Sequence, residues 1–244
     1  MIPCKGLVFL TLFATGLLVS SCIIPTFDRK RIKYTYSHQG LHAIPDSVFL
    51  RKDLQVLDLF RNKIDSIPDA IENLTELEEL YLGSNNLVCI SSKITKLKKL
   101  KILSVQFNDL KDLPEAIFDL ENLEQLLAAN NKFTTLSPSI GKLKSLERLT
   151  LNYNQLKELP EELGGCTSLR FVNLSMNALE RIPESMGELP YLNELHVNGS
   201  GFMVSIPESF CRNRYLELLV CDRTTVLPSC LLVRQTTRLK IVYR

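Results

Sequence analysis

Leu54, Leu77, Leu100, Leu123, Leu146, Leu169 and Leu192 stand 23 residues apart, Leu216 follows after 24, and Leu239 after a further 23. No other feature of the chain limits its fold so tightly. Residues 54–76 read LQVLDLFRNKIDSIPDAIENLTE and residues 146–168 read LERLTLNYNQLKELPEELGGCTS; both fit LxxLxLxxNxLxxLPxxIxxLxx. Self-similarity of this kind marks a repeat architecture, in which one unit is too small to bury its own apolar face and must stack on its neighbours. Leu54, Leu57 and Leu59 are placed for a short strand with these side chains turned inward. Stacked units would pair such strands in parallel, about 4.8 Å apart. The Ile67–Pro68 step ends the pairing, because proline fixes φ and carries no N–H. Ile71 and Leu74, three residues apart, then suit a short helical or 3-10 return segment.

The pattern resembles the leucine-rich repeat family, in its 23-residue subtype with Leu/Ile-Pro in the second half of the unit, from about residue 31 to residue 244. The resemblance implies an α/β solenoid: a leucine-rich repeat horseshoe with a parallel concave β-sheet and short helical or 3-10 convex segments. About eight units and a truncated final strand opening at Leu239 are expected. The ends are irregular, as solenoid ends usually are. Residues 31–53 keep Leu41, Ile44, Pro45 and Val48 in register but place Arg31, Tyr34 and Tyr36 where aliphatics belong, and Leu227-Pro228 comes two residues early in the last full unit.

Asn62, Asn85, Asn108, Asn131, Asn154 and Asn177 form a second column with the same 23-residue step. The chain must turn out of the strand here, leaving buried backbone groups that need partners, and an Asn amide offers donors and an acceptor together. The resemblance implies a structural Asn ladder between adjacent turns rather than a ligand site. Gln39, Ser200 and Thr224 take this column at the two ends, where the ladder should weaken.

The N-terminus has another character. Lys5 is the only charge before Asp28, and it precedes a thirteen-residue apolar run, Leu7–Val19. A bilayer needs about 20 residues, so the run fits the core of an export signal better than a span. Val19-Ser20-Ser21-Cys22 resembles the lipobox of bacterial lipoproteins, whose Cys is diacylated and becomes the new N-terminus. The resemblance implies a signal peptide over 1–21, a lipidated Cys22 with a linker over 22–33, and the repeat domain over 34–244. It also implies a bacterial cell envelope setting, tethered to the outer membrane or cell surface rather than the inner membrane. An ordinary secretory signal with an incidental Cys is the alternative.

Of the remaining cysteines, Cys166 and Cys221 replace inward aliphatics and read as core thiols, and Cys89 reads as partly exposed. Extracellular members of the family often close their C-terminal cap with disulfides, so the resemblance admits a Cys211–Cys230 bridge; the alternative is two small buried residues. No CxxC or paired-His spacing supports a metal site. No Gly-rich phosphate loop, GxSxG or HExxH supports catalysis, and no cofactor is implied. A net charge of +2 gives no reason to expect nucleic acid.

What remains is the outward side of the strands. Its third and fifth positions carry Arg148 and Phe171, and Tyr81 and His196; Phe60, Phe107, Tyr153 and Met176 lie just beyond the strands. Tyr81, Phe107, Arg148, Tyr153, Phe171 and His196 are the candidate partner-binding residues, because exposed aromatics and Arg in a row mark a protein-binding surface. Isolated exposed apolar side chains are the plainer reading. The expectation is a monomeric, non-enzymatic protein held at a membrane and binding an unidentified protein through its concave face. Two rivals stand: an intracellular scaffold like Ras-associated leucine-rich repeat proteins, and an envelope glycan-binding module.

Overall fold

In the computed structural model residues 31–201, 203–234 and 238–244 are described. The expected signal peptide, Cys22 and the part of the expected linker before Arg31 lie outside them. The repeat unit runs from Arg31 to Arg244. Its strands are β1 (Lys33–Thr35), β2 (Val56–Asp58), β3 (Glu79–Tyr81), β4 (Ile102–Ser104), β5 (Gln125–Leu127), β6 (Arg148–Thr150), β7 (Phe171–Asn173), β8 (Glu194–His196), β9 (Leu218–Cys221) and β10 (Lys240–Tyr243). They form one ten-stranded sheet in sequence order, parallel throughout, with each residue opposite its equivalent one unit on, as Leu57 pairs with Leu80 and Leu103 with Leu126. This is the leucine-rich repeat horseshoe architecture. Lys33, given to the linker on sequence grounds, is the first residue of β1.

The register follows from the leucines. Leu54, Leu57, Leu59, Ile64, Ile71 and Leu74 are fully buried, and their counterparts in later units continue the same core. A one-residue slip would turn a strand's central leucine toward solvent. At roughly 25 cal/mol per Å² of apolar surface removed from water, each such leucine contributes about 2 kcal/mol. Tyr34 and Tyr36, in the aliphatic columns of the first unit, are half-buried and cover the end of the core.

On the other side, five-residue 3-10 turns such as Asp69–Asn73, Glu115–Asp119 and Glu161–Gly165 follow Pro68, Pro114 and Pro160. Ser91 and Ser137 stand where those prolines do, and each Ser side chain caps its turn by accepting from the N–H of Lys93 or Ser139. The turns pack closely: a Cβ on Gly187 would lie 2.2 Å from Ser209 Oγ. At the C-terminus α1 (Ser229–Arg234) buries Leu231, and Cys211 and Cys230 are joined by a disulfide with Cα atoms 5.7 Å apart.

Candidate functional site on the concave face

The strands meet the outer turns through the asparagines. Asn108 is typical: its Nδ2 donates to the carbonyls of Val105, at 2.9 Å, and Leu82, at 3.0 Å, while its Oδ1 accepts from Leu87 N–H at 2.9 Å. Asn62, Asn85, Asn131, Asn154 and Asn177 repeat these bonds. Each side chain thus ties its own turn to the preceding one. Ser200 keeps a single such bond, its Oγ donating to Leu174 O at 2.6 Å, and Leu179 N–H turns instead to the Ser200 carbonyl.

Just before each Asn the backbone takes a left-handed conformation. Arg61, Ser84, Phe107, Asn130, Tyr153 and Met176 have φ between 53° and 59°. This compact reversal lets the following Asn point into the stack. For an L-residue with a bulky side chain the conformation costs roughly 1–2 kcal/mol; Gly and Asn bear it best, and Gly199 and Asn130 hold two places in this column. Yet Phe107 and Tyr153 are each 53% exposed and Met176 42%. The reversal presents them to solvent along the rim of the sheet. Phe60 lies one position earlier, outside this column, with its ring 5.8 Å from that of His38.

Inside the rim, β6 to β8 carry a stack. Arg148 Cζ lies 4.1 Å from the Phe171 ring centre, the Phe171 and His196 rings are 5.4 Å apart, and His196 Nε2 is 2.6 Å from Glu194 Oε1. The parallel register brings these together, since Arg148, Phe171 and Glu194 occupy the same position in successive strands. Tyr81 sits apart on β3, donating its hydroxyl to Glu79 at 3.0 Å. Burial, then the Glu79 carboxylate, push its pKa up to about 12. The six candidates therefore divide into a central stack (Arg148, Phe171, His196), a rim (Phe107, Tyr153) and an outlying Tyr81. Two partners were not among them: Glu194, which orients His196, and Met176, which continues the rim. Val56, Ser104 and Val220 point outward by position yet are buried.

Among the described residues the one trio of metal-ligating side chains within 4.8 Å is Glu208, Cys211 and Cys230. With both sulfurs in the disulfide, it offers no thiolate.

Strand order, Asn columns and 3-10 returns define a leucine-rich repeat solenoid, and the leucine-rich repeat family model matches residues 37–87 and 127–179. No curated protein matches the chain in sequence. Among solved structures the chain is similar to the leucine-rich repeat ectodomain of the plant membrane receptor kinase GASSHO1/SCHENGEN3 from Arabidopsis thaliana, in complex with CASPARIAN STRIP INTEGRITY FACTOR 2, at 29% identity and a TM-score of 0.66 over 74% of this chain and 23% of that one. It is also similar to the PEPR1–AtPEP1 structure, at 27% identity and a TM-score of 0.63 over 82% of this chain and 32% of that one. An internalin from Listeria monocytogenes shares the fold at 19% identity, with a TM-score of 0.74 over 86% of this chain and 60% of that one. The chain thus spans less than two thirds of each.

Proposed function

We propose that this chain is a non-enzymatic interaction protein of the bacterial cell envelope, tethered by lipid at Cys22, that binds a protein or peptide on its concave face. The observation that carries the binding reading is the rim. Phe107, Tyr153 and Met176 hold bulky exposed side chains on left-handed backbone, in a column where Asn130 and Gly199 meet the need of the fold more cheaply. Bulky exposed side chains kept where Asn or Gly would hold the same backbone more cheaply point to function. The Arg148–Phe171–His196 stack lies beside the rim and offers the aromatic and Arg chemistry common to binding hot spots. Two of the similar structures are of complexes, an ectodomain with CASPARIAN STRIP INTEGRITY FACTOR 2 and PEPR1 with AtPEP1, which favours a peptide or protein over a glycan.

The tether rests on the Val19–Cys22 motif after a short apolar run. The Cys211–Cys230 disulfide favours an oxidising compartment over the cytosolic scaffold reading. Metabolic labelling with radioactive palmitate and membrane fractionation test this setting. The wild-type chain should take up label and sediment with membranes, and Cys22→Ser should do neither. An unlabelled wild-type chain would refute the anchor while leaving the concave face in place.

A further inference from the structure

The solenoid has a second opening, on the flank between strands and convex turns. A minor parallel ladder runs along this flank: Ser66 bridges Cys89, and Arg181 bridges Ser205, which bridges Val226. Between these stretches the ladder is interrupted. Among the described residues, no backbone hydrogen bond joins 111–113 to 134–136, or 134–136 to 157–159. The inward column behind it opens at the same place. Ile67, Ile90, Leu159, Ile182 and Ile206 are buried, whereas their equivalents Leu113 and Leu136 are only partly so.

Two bulky side chains stand at this opening. Phe118 occupies the position that Gly141, Gly164 and Gly187 hold in the next three units. There the turns approach so closely that a Cβ on Gly141 would meet Glu162 O at 2.4 Å. A buried benzyl group at 118 fills the space that glycine leaves for close approach. Phe133 adds to this, standing where Leu110 and Leu156 stand in the neighbouring units. The result is a groove of about 630 Å³ with Leu113, Phe118, Phe133, Leu136 and Leu159 among its lining.

The rim of the groove is charged and one-sided. Asp112, Glu115, Glu158, Glu161 and Glu162 line it, against Arg181 alone, in a chain whose net charge is +2. All five carboxylates are exposed. Hydrogen bonds from Ser137 and Ser139 hold the Glu115 carboxyl below its usual value, so it stays ionised.

We infer that this flank groove is a docking site for a basic segment of a partner protein, with apolar side chains seated on Leu113 and Leu136 and Lys or Arg paired to the rim carboxylates. The charge asymmetry selects the occupant: an acidic segment would meet like charge, and a purely apolar one would leave the negative rim uncompensated. The site is independent of the concave face and goes beyond the function proposed above.

Fluorescence anisotropy of a fluorescein-labelled Lys-Leu-Lys-Leu-Lys peptide against the full chain tests this. Glu158→Lys with Glu162→Lys should weaken binding at least about tenfold, and Leu136→Ser should weaken it too. Glu121→Lys with Glu147→Lys, the same change of charge away from the groove, should leave binding near the wild-type value. A Glu-Leu-Glu-Leu-Glu peptide should not bind. These side chains are exposed or half-exposed, and unchanged thermal melting of each variant shows that it folds. Equal loss from both charge-reversal pairs, or no binding of the basic peptide up to about 1 mM, would overturn the proposal.

Discussion

The Arg148 guanidinium carbon lies 4.1 Å from the centre of the Phe171 ring, one strand away in the sheet. The residues are paired in register across β6 and β7, so the contact is a product of the repeat spacing itself. An exposed cation–π pair of this kind is worth only about 0.5–1 kcal/mol to the fold. Its removal should therefore affect binding far more than stability.

The Asn ladder should behave in the opposite way. Asn108→Ala or Asn131→Ala strands buried backbone groups from two adjacent turns and should cost about 1–3 kcal/mol or more. Gln39, in the same column, is exposed, and water can replace it, so Gln39→Ala should be near neutral. Urea denaturation followed by circular dichroism compares the three; equal midpoint shifts would contradict the ladder's role.

The rim separates stability from function at single positions. Tyr153→Asn puts the residue of position 130 into the same left-handed site. It should leave stability unchanged or raise it by up to about 1 kcal/mol, while weakening partner binding. A clear loss of thermal stability would show that the tyrosine serves the fold.

The repeat made most of the fold legible, because a 23-residue step of leucines admits one stacking register and an Asn step admits one turn. What escaped depends on backbone conformation and neighbouring volume. Nothing in the letters at 107, 153 or 176 says that their φ is positive, and Phe60 looked equivalent to them although it sits one residue earlier. Val56 and Ser104 alternate outward correctly yet are covered by their neighbours. Arg148, Phe171 and His196 were individually visible as outward residues, but their stacking, and the part of Glu194 in it, required the geometry. The flank groove turns on Phe118, whose effect appears only when the closeness of the glycine-bearing turns is known.

The C-terminal cap should loosen on reduction. The Cys211–Cys230 bridge has a sequence separation of 19, and closing a loop of that size constrains the unfolded chain by roughly 3 kcal/mol. Hydrogen exchange of Lys240–Tyr243 should speed up in reductant while that of β4 and β5 does not. Unchanged exchange in β10 would mean that Leu231, Leu239 and Ile241 hold the cap without the bridge.

The buried thiols set an alkaline limit. Burial pushes Cys166 up to about 12 from an ordinary 9.0, with Lys144 opposing, and Cys221 up to about 11. Raised folded values mean that the unfolded chain gives up these protons first, so their contribution is intact below about pH 9 and is lost as pH climbs toward the folded values. At pH 8 iodoacetamide should modify the exposed Cys89 and spare Cys166 and Cys221 in the native protein. Peptide mapping that finds Cys166 alkylated as fast as Cys89 would contradict its burial.

The central claim is that the partner meets the concave face, and site-specific photocrosslinking in intact cells tests it most directly. A photoreactive benzoylphenylalanine replaces Phe171 on the strands, Phe107 on the rim, or Lys96 and Glu121 on the convex side. The account predicts one protein adduct of the same mass from positions 171 and 107, lost when Arg148→Ala and Tyr153→Ala are added, and none from 96 or 121. An adduct from the convex positions alone, or the same adduct from all four, would contradict it.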